Sequence, residues 1–304
     1  MSVCSIEFGY HPSSLQFRVG QISVEPLFNF KDTVAGVAEW DGVEGDWIFA
    51  PMQRVCSFNG ETHERPYSSR IFGLPKTHKL THPAADNKEH LNFHVWTLSF
   101  FEGIRLTTAE AGFLDATPLR PGKLVDFMLR GNSRRKAVGL AEQFWSTHRT
   151  DPLRARWFTA AVHALFLGQN PRHLQFEEFM LLYTAFDACY ALASSLYPTR
   201  RRIPHAQRVK WMCDLFDMTT PNWAVPAAPL GPEAITLRNT MFHEALFLNE
   251  PLGFALHGLN TNRNLTLEMK ALISRLLVAL IGGGQADYIR SPINTRQMYI
   301  LDLS

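Results

Sequence analysis

The first half of the chain alternates apolar and polar positions in short runs that are typical of β-strands. Clusters of Gly, Pro, Asn and Asp separate these runs, and Asn59-Gly60 predicts the tight turn of a hairpin. The pattern predicts an antiparallel sheet or sandwich without fixing its topology. The predicted strands are Val3 to Phe8, Ser14 to Val19, Trp47 to Phe49, Phe93 to Phe101 and Gly103 to Thr107.

From Ser133 onward the apolar positions follow a helical period instead. Ser133 can cap a helix to about Thr147, and Asp151-Pro152 begins another helix that Gly168 ends. Further helices are predicted over Phe176 to Leu196, His205 to Met218, Gly231 to Asn249 and Asn264 to Ile281. The fold class is therefore α+β: a β-rich domain at 1–130, a helical connector at 131–171 and an all-α bundle at 172–304.

The helix between Gly231 and Pro251 carries the most unusual pattern in the chain. At about 100° per residue its apolar side chains form one broad arc, and Arg238 falls in the middle of that arc. A guanidinium group that faces a core is costly unless something pairs with it. Either Arg238 is a structural residue that binds a carboxylate, for which Asp187 is the first candidate, or it binds phosphate beside His243 as a proton donor or acceptor.

Composition places the chain among soluble globular proteins, since 46% of its 304 residues are apolar and 19% are charged. Four scattered cysteines favour a reducing compartment. The stretch from Met1 to Gly20 has no signal-peptide pattern, and the longest apolar run, Leu276 to Ile281, is too short to span a bilayer. We therefore expect a cytoplasmic protein without a membrane segment.

The net charge of +2 argues neither for nor against nucleic acid, so only local clusters bear on that question. Arg200, Arg201 and Arg202 form one such cluster directly after the helix that ends at Leu196. Most clusters of this kind are solvated surface, but they are also how proteins hold a phosphate backbone. We predict RNA binding there.

Histidines crowd the region from His63 to His94, and both His78/His82 and His90/His94 have a spacing that could bind a metal on a helix. However, the region around His94 is predicted to be a strand. Residues four apart in a strand lie roughly 13 Å from one another, which is too far for one ion. We therefore expect the protein to bind neither a metal nor another cofactor.

The helical half resembles the HEPN superfamily, in its defence-associated branch. The signature of that superfamily is an Arg, four to six further residues and a His on the third helix of a bundle, often with a polar residue after the Arg. Arg238, Asn239 and His243 match it, and the resemblance covers about residues 174–304. It implies a metal-independent endoribonuclease that acts as a homodimer in a defence or toxin system, with the first domain sensing a regulatory ligand or partner.

The chemistry that this resemblance implies agrees with the residue types. RNA supplies its own nucleophile, the 2′-hydroxyl, so that cleavage needs charge stabilisation at the phosphate and proton transfer. Arg238 would bind the phosphate in a bidentate manner, Asn239 would donate a hydrogen bond, and His243 would be the general acid or base. The products would carry a 2′,3′-cyclic phosphate and a 5′-hydroxyl.

Two other functions remain open at the level of sequence. The bundle could be a catalytically inactive HEPN module for dimerisation or for binding nucleotide or RNA. This is expected if Asp187 forms an ion pair with Arg238, because the guanidinium would then not bind phosphate. The β-rich half could instead be a ligand-binding module for which the helices are a scaffold.

Overall fold

The computed structural model describes residues 4–65, 72–109, 116–225, 233–242 and 265–303. The chain divides into two compact units. The first comprises Met1–Leu124 with Ala137–Gly139, and the second comprises Val125–Lys136 with Leu140–Ser304. Strands dominate the first half and helices the second, so the predicted α+β class is confirmed. The finer division at residues 130 and 171 stays a prediction.

The first unit is built on a four-stranded antiparallel sheet in the order β1-β8-β3-β2. A second antiparallel sheet has the order β4-β5-β9, and β6 and β7 form a separate hairpin. The strands are β1 (Ser5–Phe8), β2 (Phe17–Val19), β3 (Ile22–Pro26), β4 (Val43–Glu44), β5 (Trp47–Phe49), β6 (Gln53–Cys56), β7 (Thr62–Arg65), β8 (His78–Thr81) and β9 (Ala116–Pro118).

The hairpin confirms the turn predicted at Asn59-Gly60. Gly60 has a φ of +83°, a conformation that glycine adopts without strain. The backbone N–H of Ser57 donates to the carbonyl of Glu61 across the turn.

Two helices, α1 (Phe30–Ala38) and α2 (Lys88–Glu102), complete the described part of the first unit. Helix α2 contributes Leu91, Val95 and Leu98 to a core that it shares with Phe8 and Leu80 of the main sheet. Because α2 is buried on almost every side, its apolar residues show no clear helical period.

The strand predicted over Phe93 to Phe101 is therefore wrong: this segment is the middle of α2. Its aromatic and β-branched residues favour strands by propensity, but the ends of the segment favour a helix. Asn87 accepts a hydrogen bond from the backbone N–H of His90, and Gly103 ends the helix with a φ of +57°. The strand predicted over Gly103 to Thr107 is also wrong, since it is reduced to an isolated bridge between Gly9 and Thr107.

The second unit is mainly helical, with a short parallel pair of strands, β10 (Phe127–Leu129) and β11 (Tyr299–Leu301). Helices α4 and α8 both pack against α5. The helices are α3 (Ser133–His148), which also supplies Ala137–Gly139 to the first unit, α4 (Pro152–Leu167), α5 (Gln175–Leu196), α6 (Arg208–Leu215), α7 (Glu233–Phe242) and α8 (Leu265–Val278).

One of the described helices, α5, is long and apolar enough to cross a membrane. About 44% of its most apolar window is buried within the protein. The central helix of a soluble bundle has the same length and composition, and α5 packs between other helices. The helix is therefore weak evidence for a membrane span and fits a soluble protein.

A buried arginine ties α8 to the end of the second unit. Arg275 is completely buried, and its Nη1 lies 2.7 Å from Oδ2 of Asp126. Its other guanidinium nitrogens donate to the backbone and side-chain oxygens of Ser291 and to the carbonyl of Pro292. The hydroxyl of Tyr288 also donates to Asp126. Burial, with the Asp126 carboxylate second, raises the pKa of Tyr288 well above its ordinary value, so the phenol keeps its proton.

Two glycines in the first unit should respond in opposite directions to substitution by alanine. A Cβ at Gly42 would lie 2.3 Å from the backbone oxygen of Phe49, so Gly42→Ala must push β4 and β5 apart. We expect it to lower the free energy of unfolding by about 1–3 kcal/mol.

Gly36 is exposed within α1, with open space around its Cβ position among the described residues. Gly36→Ala should raise stability by roughly 0.5–1 kcal/mol. Denaturant unfolding of the two variants measures both changes, and a loss from Gly36→Ala would contradict the assignment of α1.

Candidate functional site

The predicted motif helix is present as α7, which begins at Glu233 and is described to Phe242. Arg238 and Asn239 lie on it, whereas His243 lies outside the described residues. Ala234 is buried and Arg238 is half-buried, so that one face of α7 packs against the unit while the guanidinium remains partly accessible.

Arg238 and Asn239 are joined by their side chains. Nη1 of Arg238 donates to Oδ1 of Asn239 at 3.1 Å, which uses the amide oxygen and leaves the amide NH₂ as the end that can donate to an anion. The guanidinium carbon of Arg238 lies 6.0 Å from the ring centre of Tyr183 on α5, at the outer limit of a cation–π contact. Arg238 therefore faces α5.

Asp187, one turn after Tyr183 on α5, binds an arginine from α6. Nη1 of Arg208 donates to Oδ1 of Asp187 at 2.9 Å, and the guanidinium carbon lies 4.0 Å above the ring of Tyr190. Arg208 is only 8% exposed, so this cation is desolvated and depends on its partners. The predicted pairing of Asp187 with Arg238 stays a prediction, but the carboxylate already has a counterion in Arg208.

His205 lies in the same part of the unit, one turn before Arg208. Burial lowers the pKa of His205 below its ordinary value, and the Arg208 cation lowers it further. Arg238 and Arg202 act in the same direction, whereas Asp187 opposes them. The shift favours the neutral imidazole, the form that can accept a proton. Its Nδ1 is buried and has no hydrogen-bond partner among the described residues.

Tyr183 supplies a neutral hydroxyl beside these charges. Burial raises its pKa to about 12, and the nearby Asp187 carboxylate acts in the same direction. The phenol therefore remains protonated across the physiological range and can only act as a hydrogen-bonding or stacking group. Its side chain is 3% exposed.

The predicted basic cluster is exposed: Arg200, Arg201 and Arg202 are all solvent-facing residues of the loop after α5. The hydroxyl of Thr199 donates to the carbonyl of Arg201 at 2.7 Å and fixes the turn. Through its effect on His205, Arg202 belongs electrostatically to the same neighbourhood as Arg238. A positively charged loop therefore borders the candidate site.

Taken together, the described side chains make a site suited to an anion. Four charged groups act on the pKa of His205, and three of them are the arginines Arg202, Arg208 and Arg238 against one carboxylate, Asp187. Arg208 and His205 were missing from the candidate residues found in the sequence. Nothing in their spacing to Asp187 identifies them, because α5 and α6 meet only through the tertiary fold. A buried Arg in a short amphipathic helix was the one available signal.

The histidines of the first unit separate into different environments. His63 is exposed beside Glu61, and His78 is fully buried, where its Nε2 accepts the backbone N–H of Leu15 at 2.9 Å. Burial, followed by the charge of His11, lowers the pKa of His78 to about 4. The spacing of His78 and His82 therefore does not correspond to a shared metal site among the described residues.

Comparison with known proteins gives no relative for this chain: no family model, no curated protein and no solved structure matches it.

Proposed function

We propose that the chain is a metal-independent endoribonuclease of the HEPN type. The observation that supports this proposal best is the grouping of Arg238 and Asn239 with Arg208, Asp187 and His205 on neighbouring helices of one unit. Arg208 provides the counterion that Asp187 needs, so Arg238 is not required to neutralise that carboxylate. A partly accessible arginine in such a position suits a phosphate.

In this proposal Arg238 binds the scissile phosphate and stabilises the charge that develops on its oxygens. Asn239, held by Arg238 through its amide oxygen, donates from its NH₂ group to a phosphoryl oxygen. His243, assigned by the resemblance, transfers a proton between the 2′-hydroxyl or the leaving 5′-oxygen and solvent, which is worth on the order of a hundred- to ten-thousandfold in rate. The products are a 2′,3′-cyclic phosphate and a 5′-hydroxyl.

The surroundings of the site fit an extended, charged substrate. Arg200, Arg201 and Arg202 would follow the RNA backbone away from the scissile phosphate, with the salt dependence that counterion release produces. The proposal further includes a homodimer, a cytoplasmic location, a role in defence or toxicity, and a regulatory ligand or partner at the first unit.

A second candidate function is RNA or nucleotide binding without cleavage, by an inactive HEPN module. The observation that favours it is the stacking of guanidinium and aromatic groups in the site, where Arg208 lies over Tyr190 and Tyr190 packs edge-on against Trp211. Tyr190 and Trp211 are both partly exposed, and accessible aromatic rings hold bases by stacking without reacting with them.

Incubation of the purified protein with end-labelled RNA in EDTA tests the proposal. We expect cleavage by the unmodified chain, products with cyclic-phosphate ends, and loss of on the order of a hundredfold or more in His243→Ala. The same reactions with added Zn²⁺ in place of EDTA show whether cleavage differs when metal is present. Circular dichroism in both buffers shows whether the protein stays folded in the chelator. Binding without cleavage by a folded dimer would favour the inactive module and would contradict the enzyme.

A further inference from the structure

We propose that His82, His90 and His94 of the first unit bind a divalent transition-metal ion, with zinc as the best-fitting choice. This site is separate from the proposed ribonuclease site and does not depend on it. Each of the three histidines offers one ring nitrogen, and these nitrogens lie within 4.8 Å of one another.

The fold brings these histidines together from two elements. His90 and His94 are one turn apart on α2, where side chains at this spacing share a face and their rings stack with centres 5.1 Å apart. His82 follows β8 directly, and its ring centre lies 4.8 Å from that of His90 and 5.8 Å from that of His94. Because this segment is a helix and not the predicted strand, the spacing of His90 and His94 suits one ion.

The distances match a metal after a small contraction. Three nitrogens that are at most 4.8 Å apart surround a central point no more than about 2.8 Å from each of them. A Zn–N bond is about 2.0–2.1 Å long, so each ring would move inward by less than about 1 Å. Rotation about the side-chain torsions supplies such a shift without moving the backbone.

The backbone at each histidine is held in place. The N–H of His82 donates to the carbonyl of Cys4 at 2.9 Å, which anchors the segment after β8. The N–H of His90 donates to the cap residue Asn87 at 3.0 Å, which fixes the start of α2. Between the two histidines of α2, Leu91 enters the core of the main sheet. A site whose ligands lie on fixed elements has less conformational entropy to lose when it binds an ion.

All three imidazoles are buried, with exposures of 3% for His82, 2% for His90 and 0% for His94. Three clustered imidazoles inside a protein are costly as cations but suitable as neutral ligands, because a metal uses their lone pairs and replaces lost hydration. Imidazole ligands suit zinc, copper and nickel, whereas calcium and magnesium prefer oxygen. Three imidazoles fill three of the four positions of tetrahedral zinc.

Asp86 lies close enough to His90 to become the outer partner that metal-bound histidines usually have. Its Oδ2 lies 4.0 Å from Nδ1 of His90. A metal bound to Nε2 of His90 would leave the ring proton on Nδ1, on the side of this carboxylate. The backbone N–H groups of Ala84 and Asp86 contact Nδ1 of His82 and of His90, each at 3.3 Å. Both contacts are at the long end of the hydrogen-bond range, so replacing them costs little.

Because the rings are closed off from solvent, the bound ion would be structural: it would clamp the segment after β8 to the first turns of α2. The main sheet and α2 share one core, and a clamp at this point would stabilise that core. Metal-bound protein should therefore unfold at a higher temperature than metal-free protein.

Equilibrium dialysis of the full chain, with any affinity tag removed, against buffered Zn²⁺ followed by elemental analysis tests the site. We expect one zinc per chain in the unmodified protein and in His63→Gln, whose exposed histidine is the matched control. His90→Gln and His94→Gln should lose the bound zinc. Asp86→Asn, a change at a partly exposed side chain, should bind zinc ten- to a hundredfold more weakly.

Cobalt supplies a test that does not depend on the folding of the variants. Co²⁺ in the unmodified protein should give the intense visible d–d absorption of a tetrahedral ion, and Zn²⁺ should displace it. A folded chain that takes up less than one equivalent of either ion at micromolar free metal would overturn the proposal. So would undiminished zinc in folded His90→Gln and His94→Gln, since the ion would then be bound elsewhere.

Discussion

Arg275→Ala is expected to lower the free energy of unfolding by about 3–5 kcal/mol. The change leaves Asp126 without its guanidinium partner in a largely buried position, and it removes the hydrogen bonds that hold Ser291 and Pro292. A buried carboxylate that loses its counterion keeps the cost of desolvation and loses the compensating attraction. Chemical denaturation measures the difference.

Arg290→Ala is the control for Arg275→Ala. Arg290 also lies 3.4 Å from an aspartate, Asp217, but both side chains are exposed to solvent. Exposed ion pairs contribute little, so the control should change stability by less than about 1 kcal/mol. Equal effects of the two substitutions would show that the Arg275 network is not a major source of stability.

A double variant separates the unpaired charge from the lost packing. Arg275→Met with Asp126→Leu removes both charges and keeps apolar volume in their place. We expect it to be more stable than Arg275→Ala, because replacing a whole buried ion pair is far less costly than breaking it. The hydroxyls of Tyr288 and Ser291 would still lose partners, so full recovery is not expected.

Sequence patterns predicted the elements whose ends carry local chemical signals. Asp151-Pro152 and Gly168 mark the limits of α4 within a residue, because proline fits the first helical turn and glycine suits a helix end. Asn59-Gly60 marks the β6–β7 turn for a similar reason, since glycine accepts a positive φ. In both cases the stabilising interaction lies within a few residues of the signal.

Helix α2 shows where such prediction fails. Its aromatic and β-branched residues favour a strand, and its burial on nearly all sides removes the helical period that would have corrected the assignment. Because a strand was predicted here, the sequence did not indicate the histidine cluster: His90 and His94 come together only on a helix. His82 joins them through the packing of α2 beside β8, which no local pattern encodes.

The candidate ribonuclease site was predictable only in part. Arg238 stands out on α7 by its position in the middle of an apolar arc, with Asn239 at the edge of that arc, and Asp187 stands out as a carboxylate within the apolar helix α5. The partner of Asp187 is Arg208, 21 residues further along the chain. That contact forms because the loop after α5 brings α6 back against α5.

Arg238→Ala is expected to reduce kcat/KM for RNA cleavage on the order of a hundred- to a thousandfold while the protein keeps its fold. The reason is that a half-buried guanidinium beside Asn239 would stabilise developing charge on the phosphate, and such donors contribute that magnitude. Arg238→Lys should recover only a small part of the activity, since lysine keeps the charge but cannot bind two oxygens in a fork.

Arg200→Ala is the matched control, because Arg200 is an exposed arginine of the bordering loop. It should weaken RNA binding modestly and reduce the dependence of binding on salt, with little effect on the rate at saturating RNA. The two arginines are therefore distinguished by which kinetic constant changes. If Arg238→Ala instead unfolds the helical unit, Arg238 is a structural counterion, and the carboxylate that it serves becomes the next residue to identify.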